Sequence, residues 1–284
     1  MSHKTAKFFK EFTLNGATLL SLSIIVGIFS WIIGDLVLQG FKGLHSSFLF
    51  EAPLNAGRAG GIRPVLTSTS IIVGICLIVS FPISFSVALM LSEKILSGHK
   101  VLKILHSIIM ILSGVPSVVF GLFGNVYFCE YLGLGYSMLS GGLTLACMIL
   151  PLSIKLLEES IRSVPNHMIL SARSLGIGHI TLIRSIILPQ IAPQLTAAYI
   201  LSLARALAEI AALLFTSGYV MRDPQSIFDS GRTLSIHIYD LTMNVTGSDQ
   251  SAYQTAFVLL VFLLTLNLLG HGINYLWKKF QYGM

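Results

Sequence analysis

The sequence predicts an all-α membrane protein with six transmembrane helices. Three observations lead there. The chain has 284 residues, of which 54% are hydrophobic and only 11% charged, whereas a soluble domain carries about 25% charged residues. Its mean hydropathy is +0.81. Its apolar residues collect into stretches long enough to cross a bilayer, which takes about 20 residues for roughly 30 Å of hydrocarbon. These stretches fall at about 14–38, 65–92, 104–132, 137–157, 189–216 and 253–277.

The first stretch follows Lys4, Lys7 and Lys10 and so imitates a secretory leader. It is too long for a leader's apolar core and lacks a clear small-x-small cleavage site, so it reads as a retained span. The second is entered through Gly60-Gly61-Ile62-Arg63-Pro64. The third runs from Val101 to Leu132 and exceeds what one span needs. It contains Ser113-Gly114-Val115-Pro116-Ser117. Proline removes a backbone donor and disfavours helix at the residue before it. A break is expected here, with an interfacial helix before it and a span after it. Broken backbone at membrane depth is tolerated only where protein or a water-filled cavity covers it. Pro116 and Ser117 are therefore candidates for a substrate path, with a simple packing kink as the other reading.

Between the fourth and fifth spans lies a long connection, 158–188. Met168, Ile169, Ala172 and Leu175 recur in it at helical spacing. Pro165 suits the first position of a helix and Gly176 suits its end. Such a helix either docks a partner or lies on lipid headgroups. The outer loops 39–64 and 217–252 are too short and too poor in core residues to fold alone. Asp223, Asp229, Asp240 and Asp249 in the second of them read as a solvated surface, without the D-x-D-x-D-G spacing of a calcium loop. The chain 1–284 thus reads as one transmembrane domain with its core at 65–277.

The formal charge of +6 has a topological reading. With the N-terminus in the cytoplasm, twelve of the eighteen Lys and Arg fall in cytoplasmic segments and five (Lys42, Arg58, Arg63, Arg222, Arg232) in outer loops. Arg205 remains inside a span. The positive-inside rule then puts both termini in the cytoplasm. The basic excess orients the chain, and nucleic acid is not an expected partner. The three cysteines lie in spans without C-x-x-C spacing, and the eight histidines show no metal spacing. No metal is expected. No G-x-x-x-x-G-K-[ST] loop is present, so any ATP and Mg would bind another chain.

The connection at 158–188 resembles the loop shared by membrane subunits of bacterial ABC importers: E-A-A, three residues, Gly, nine residues, I-x-L-P. Here Leu170-Ser171-Ala172, Gly176 and Ile186-Ile187-Leu188-Pro189 keep the spacing, with Leu170 and Ser171 at the Glu and first Ala. Three more stretches are similar to phosphate importer permeases. They are Gly60 to Thr69, the G-V-P-S stretch from Leu112 to Gly124, and Arg205 to Ala211 against R-A-x-G-E-T-A. Ala208, Ile210 and Ser68 depart from the pattern. The short first outer loop favours the A-type subunit of the phosphate-specific system (PstA). The resemblance implies the MetI-like fold of type I importers and a bacterial cytoplasmic membrane location. It implies a second, C-type permease, a dimer of ATP-binding cassette ATPases and a phosphate-binding protein as partners. It also implies that Ser171, Ala172, Gly176 and Pro189 couple the chain to the ATPase.

Arg205 and Glu209 stand four residues apart, a spacing that puts both on one face of a continuous helix. An arginine deep in a span costs about 2.5–3.5 kcal/mol on insertion scales and calls for a partner. One reading is a self-neutralising pair that fixes packing. The other is a path lining. Guanidinium matches the oxygens of an oxyanion. The carboxylate favours one that keeps a proton, as phosphate does and sulfate does not. Other cargoes, a passive channel and a glutamate intramembrane protease (Glu158, Glu159, Arg162 with His106 or His271, out of register by one residue) are the alternatives.

Overall fold

The structure, a computed structural model, describes residues 2–92 and 100–282. Lys94, assigned to a cytoplasmic loop, lies outside them. The chain begins with α1 (Ser2–Phe41), then α2 (Ser46–Phe50) and a small hairpin of β1 (Pro53–Leu54) and β2 (Ala59–Gly60). The hairpin pairs Pro53 with Gly60 and Leu54 with Ala59. Gly60 adopts φ +81°, and a Cβ there would lie 2.4 Å from the Ala52 carbonyl oxygen. That explains the first glycine of the G-G-I-x-P entry. The next element is α3 (Arg63–Leu91), with Pro64 in its first turn, where a missing N–H costs nothing.

The third span is broken as expected. Helix α4 (Lys100–Ser113) is followed by α5 (Ser117–Gly124), which continues as π-helix through Asn125–Tyr131. The two arms meet at 102°. Then come α6 (Met138–Arg162), α7 (Asn166–Ser174), and α8 (His179–Leu182), which runs on as π-helix through Ile183–Ile187 into α9 (Leu188–Leu207). The chain ends with α10 (Ala211–Leu214), α11 (Leu234–Met243) and α12 (Asp249–Tyr282). Among the described residues five helices are long and apolar enough to cross a membrane, or six with the bent pair counted as one span.

Helix α6 is the centre of the packing. Leu145, Ile149 and Met148 on it pack with Ile72 and Cys76 of α3. The crossing is close because Gly142 faces Ile75, where a Cβ would come within 2.7 Å. Small residues and interhelical hydrogen bonds are what draw helices together where lipid is as apolar as the side chains. The hydrogen bonds are present too. Ser153 donates to Ser202 at 2.8 Å, joining α6 to α9. The Tyr199 hydroxyl donates to the Phe81 carbonyl at 3.1 Å, joining α9 to α3. Thr196 donates to Asn274 at 2.9 Å, joining α9 to α12. A second apolar cluster below these ties Ile109 of α4, Ile154, Leu157 and Ile161 of α6, and Ile169 and Ala172 of α7.

The end opposite α7 corrects the expectation for 217–252. Asp223 and Asp249 are exposed and Asp229 is half-buried, as expected of a solvated surface, but one part of the segment is not solvated. It holds α11 and a buried ion pair, Arg232 to Asp240 at 2.7 Å. The guanidinium also lies 3.9 Å from the Tyr219 ring centroid. Burial pushes the Asp240 carboxyl up, but hydrogen bonds from Tyr219 and Asn244 and the Arg232 cation outweigh it, and the net shift is down. His237, 1% exposed beside them, is pushed down to about 4 by burial and by the Arg232 charge. Asp223 does remain on the surface, paired with Arg63. The physical reason for the correction is local: an aspartate eight residues from an arginine, across a helix start, can reach back and neutralise it.

Candidate functional site

The break in the third span starts at the proline. Pro116 has φ −59° and ψ 142° and precedes the first helical residue of α5, Ser117. Pro116 is exposed and Ser117 half-buried. From there α5 rises against α10. A Cβ on Gly121 would lie 2.7 Å from Ala212 Cα. One turn on, Asn125 Nδ2 donates to the Phe215 carbonyl at 2.8 Å. The pairs 121/212 and 125/215 define a parallel register. The glycines of the Gly-Leu-Phe-Gly run serve this seam: Gly121 meets α10, and Gly124 meets Thr144 of α6.

The fifth span is broken as well, which the sequence reading did not anticipate. Helix α9 ends at Leu207, and Glu209 and Ile210 lie outside regular helix before α10 begins. Arg205 and Glu209 therefore do not share one continuous helix face. Arg205 occupies the last turn of α9 and is exposed on this chain. Glu209 accepts a hydrogen bond from the Ala212 amide at 3.2 Å. Among the described residues no ion pair joins the two. Each charge sits at the helix end that favours it: a cation beside the orphan carbonyls of a C-terminus, an anion beside the free amides of an N-terminus. Within this chain the two charges do not neutralise each other, and among the described residues no ion pair engages the Arg205 guanidinium.

The coupling candidates lie on and beyond α7. Asn166 is its first residue, with Pro165 just before it rather than inside. Ala172 is buried and Ser171 exposed. Gly176 has φ +71°. Its amide bonds the Arg173 carbonyl at 2.9 Å, and the Ile177 amide bonds Ala172 at 3.1 Å, the paired bonds of a Schellman end. Leu170, Leu175 and Ile180 are 62%, 79% and 70% exposed, so this end displays apolar side chains. Pro189 is half-buried at the start of α9. One feature escaped the sequence reading: Asn125 joins the two broken spans, a role hinted at only by its polarity within an apolar run. His106, set beside Glu158 in the sequence reading only under the protease alternative, does meet it, at 3.3 Å.

Residues 80–279 match the family described as the binding-protein-dependent transport system inner membrane component. The chain belongs to that family. It is an ABC importer permease and a multi-pass membrane protein. The probable ABC transporter permease YqgI of Bacillus subtilis is 28% identical over 261 residues, 87% of either chain. The phosphate transport permease PstA 2 of Mycobacterium tuberculosis is 27% identical over 93% of this chain and 87% of its own. A PstA homolog of Mycoplasma genitalium reaches 30% identity over 91% of this permease but 39% of its own length. The fold is that of solved importers. An alginate ABC importer chain superposes with a TM-score of 0.63 at 19% identity, covering 95% of this permease and 99% of that chain. A MetNI methionine transporter chain gives 0.60 at 14%, covering 75% and 95%. As a transporter subunit the permease is not an enzyme, and the protease alternative falls.

Proposed function

We propose that this permease is the A-type subunit through which an ATP-driven importer moves inorganic phosphate across the cytoplasmic membrane into the cell. One observation carries the reading. Two spans break and dock on each other through α5 and α10, and Arg205 at the end of α9 has no ion-pair partner among the described residues, with Glu209 four residues on, just before α10. An exposed guanidinium in an apolar setting suits an oxyanion. The nearby carboxylate suits one that still carries a proton. Relatives named PstA support phosphate over other cargo. A C-type permease facing this one would close the path. A relative named PstC, from Haemophilus influenzae and 27% identical over 92% of this chain, fits a pair of similar subunits. An ATPase dimer holding ATP and Mg would dock on Ser171, Ala172 and the Gly176 turn. A phosphate-binding protein would deliver cargo at the α11 end, and both termini would face the cytoplasm.

The test is uptake of labelled phosphate by the reconstituted complex. Arg205→Lys keeps the charge and loses the fork. Uptake should fall at least about tenfold, the equivalent of 1.4 kcal/mol. Glu209→Gln keeps the acceptor for Ala212 and should relax discrimination against sulfate when the binding protein is bypassed. Normal phosphate uptake by Arg205→Lys, with sulfate still refused by Glu209→Gln, would rule out the substrate role.

A further inference from the structure

Glu158 is buried near the end of α6, with 4% of its surface exposed. It is held from two sides. His106 Nδ1 on α4 is 3.3 Å from Oε2, and Arg162 Nη2, one turn along α6, is 2.7 Å from Oε1. The Arg162 contact is one of charge proximity, since Oε1 has no aligned hydrogen bond. These groups border a cavity of about 180 Å³ that also reaches Ser113, the last residue of α4, and Lys155 and Glu159 of α6. The path proposed above does not include this carboxylate.

Its place in the chain is informative. Arg162 is the last residue of α6, and α7 begins at Asn166. Seven residues beyond His106, α4 ends at Ser113 and the break begins. At 1.5 Å per residue that is an arm of about 10 Å. Around the charges, α4 meets α6 through an apolar seam in which Ile109 packs with Ile154, Leu157 and Ile161. Apolar side chains spaced three or four apart accept a shift of one turn with little penalty. A buried carboxylate held by two half-exposed partners adds little net stability, because desolvation cancels most of the attraction, but such a polar contact can fix register.

We propose that Glu158 is a positioning residue that locks the register of α4 on α6. Displacement of α7 is then delivered through α4 to the break at 113–117 instead of being lost as sliding along the seam. The inference rests on the importer reading above and extends it. Glu158→Leu fills the site with apolar volume and should leave the amount of assembled complex unchanged. His106→Gln alters only the half-exposed partner. His106→Lys supplies a cation within reach of the same carboxylate.

Two readouts separate the inference from the identity of the cargo. The first is the distance between spin labels at Lys103→Cys and Ser163→Cys, with Cys76, Cys129 and Cys147 replaced by serine. One narrow distance is expected with Glu158 present, and a broadened or double distribution in Glu158→Leu and His106→Gln. The second is phosphate moved per ATP hydrolysed, stimulated by phosphate-loaded binding protein. It should drop at least threefold in those two variants, with basal ATPase retained, and stay normal in His106→Lys. An unchanged distance distribution overturns the lock. A broadened distribution with unchanged phosphate per ATP overturns its role in transmission. Should phosphate fail to stimulate even the unaltered complex, the cargo assignment falls, and the distance readout still decides the lock.

Discussion

Gly142 and Gly121 both sit at helix crossings, yet the crossings differ. Gly142 lies where continuous α6 passes continuous α3, against Ile75 and the Ile72 carbonyl. Gly121 lies where α5 meets α10, two short helices that each begin at a break, and it faces Ala212. Along α6, large side chains such as Leu145, Ile149 and Leu157 are fully buried. Along α5, Val118, Val119, Leu122 and Phe123 remain 43–50% exposed. In the frame of continuous helices, α6 is buried within one chain, although its neighbour α3 keeps an outer apolar face, with Ile78 76% and Phe81 44% exposed. The broken pair leaves an apolar face, an arginine and interrupted backbone on the surface of the chain. An outer apolar face is ordinary for a span in lipid; an exposed arginine and interrupted backbone are not, and they call for something against the broken pair.

The strongest way to break this comparison is to overpack both crossings. Gly142→Leu should cost about 1–3 kcal/mol through strain in the frame, and size-exclusion chromatography should recover little monodisperse protein. Gly121→Leu should leave more protein intact but block transport, because it displaces the α10 backbone. Equal loss of folded protein in both would erase the distinction. Next in size is Gly176→Val. Its φ of +71° costs an L side chain about 1–2 kcal/mol, and nothing crowds a Cβ there. The variant should fold but lose stimulation of its ATPase partner, while Gly176→Asn, which tolerates this conformation, should retain most of it. Normal stimulation in the valine variant would remove α7 from coupling.

The frame's far end should answer to pH. His237 is pushed from 6.5 down to about 4, so the folded state holds it neutral. Stability is full above pH 6.5 and is lost as pH falls towards 4, by about 1.4 kcal/mol per pH unit, since the unfolded chain takes up the proton first. Amide exchange in α11 should accelerate over that window, and His237→Gln should flatten the slope. The smallest effect is expected at Pro116→Ala. Helix can then extend across the bend, and phosphate flux should change by less than about tenfold with the amount of complex unaltered. An unchanged flux leaves the proline as a packing kink.

The two breaks also differ in how far the sequence discloses them. The one at 113–117 is written in Gly114 and Pro116, because proline acts through its own covalent geometry. The one at 208–210 has no such marker: Ala208, Glu209 and Ile210 fit a helix by composition, and the spacing of Arg205 and Glu209 argued for one. Tertiary contacts decided otherwise. Docking of Ala212 against Gly121 and of the Phe215 carbonyl against Asn125 fixes α10 to α5, and Glu209 caps the free amide end that results. In the same way Asp240 has no local mark that separates it from the exposed Asp223 and Asp249; it is the contact with Arg232 that buries it.

By itself the sequence determined the six apolar segments, the kink at Pro116, the turn at Gly176 and the importer family. Those features depend on residue type, chain-local geometry and hydropathy, which act without regard to distant partners. The tertiary structure alone decided the second break, the open guanidinium of Arg205 and the buried Arg232–Asp240 pair. Each depends on which groups a long-range contact brings within a few ångströms, and in an apolar interior only that proximity settles whether a charge is neutralised, capped or left for a ligand.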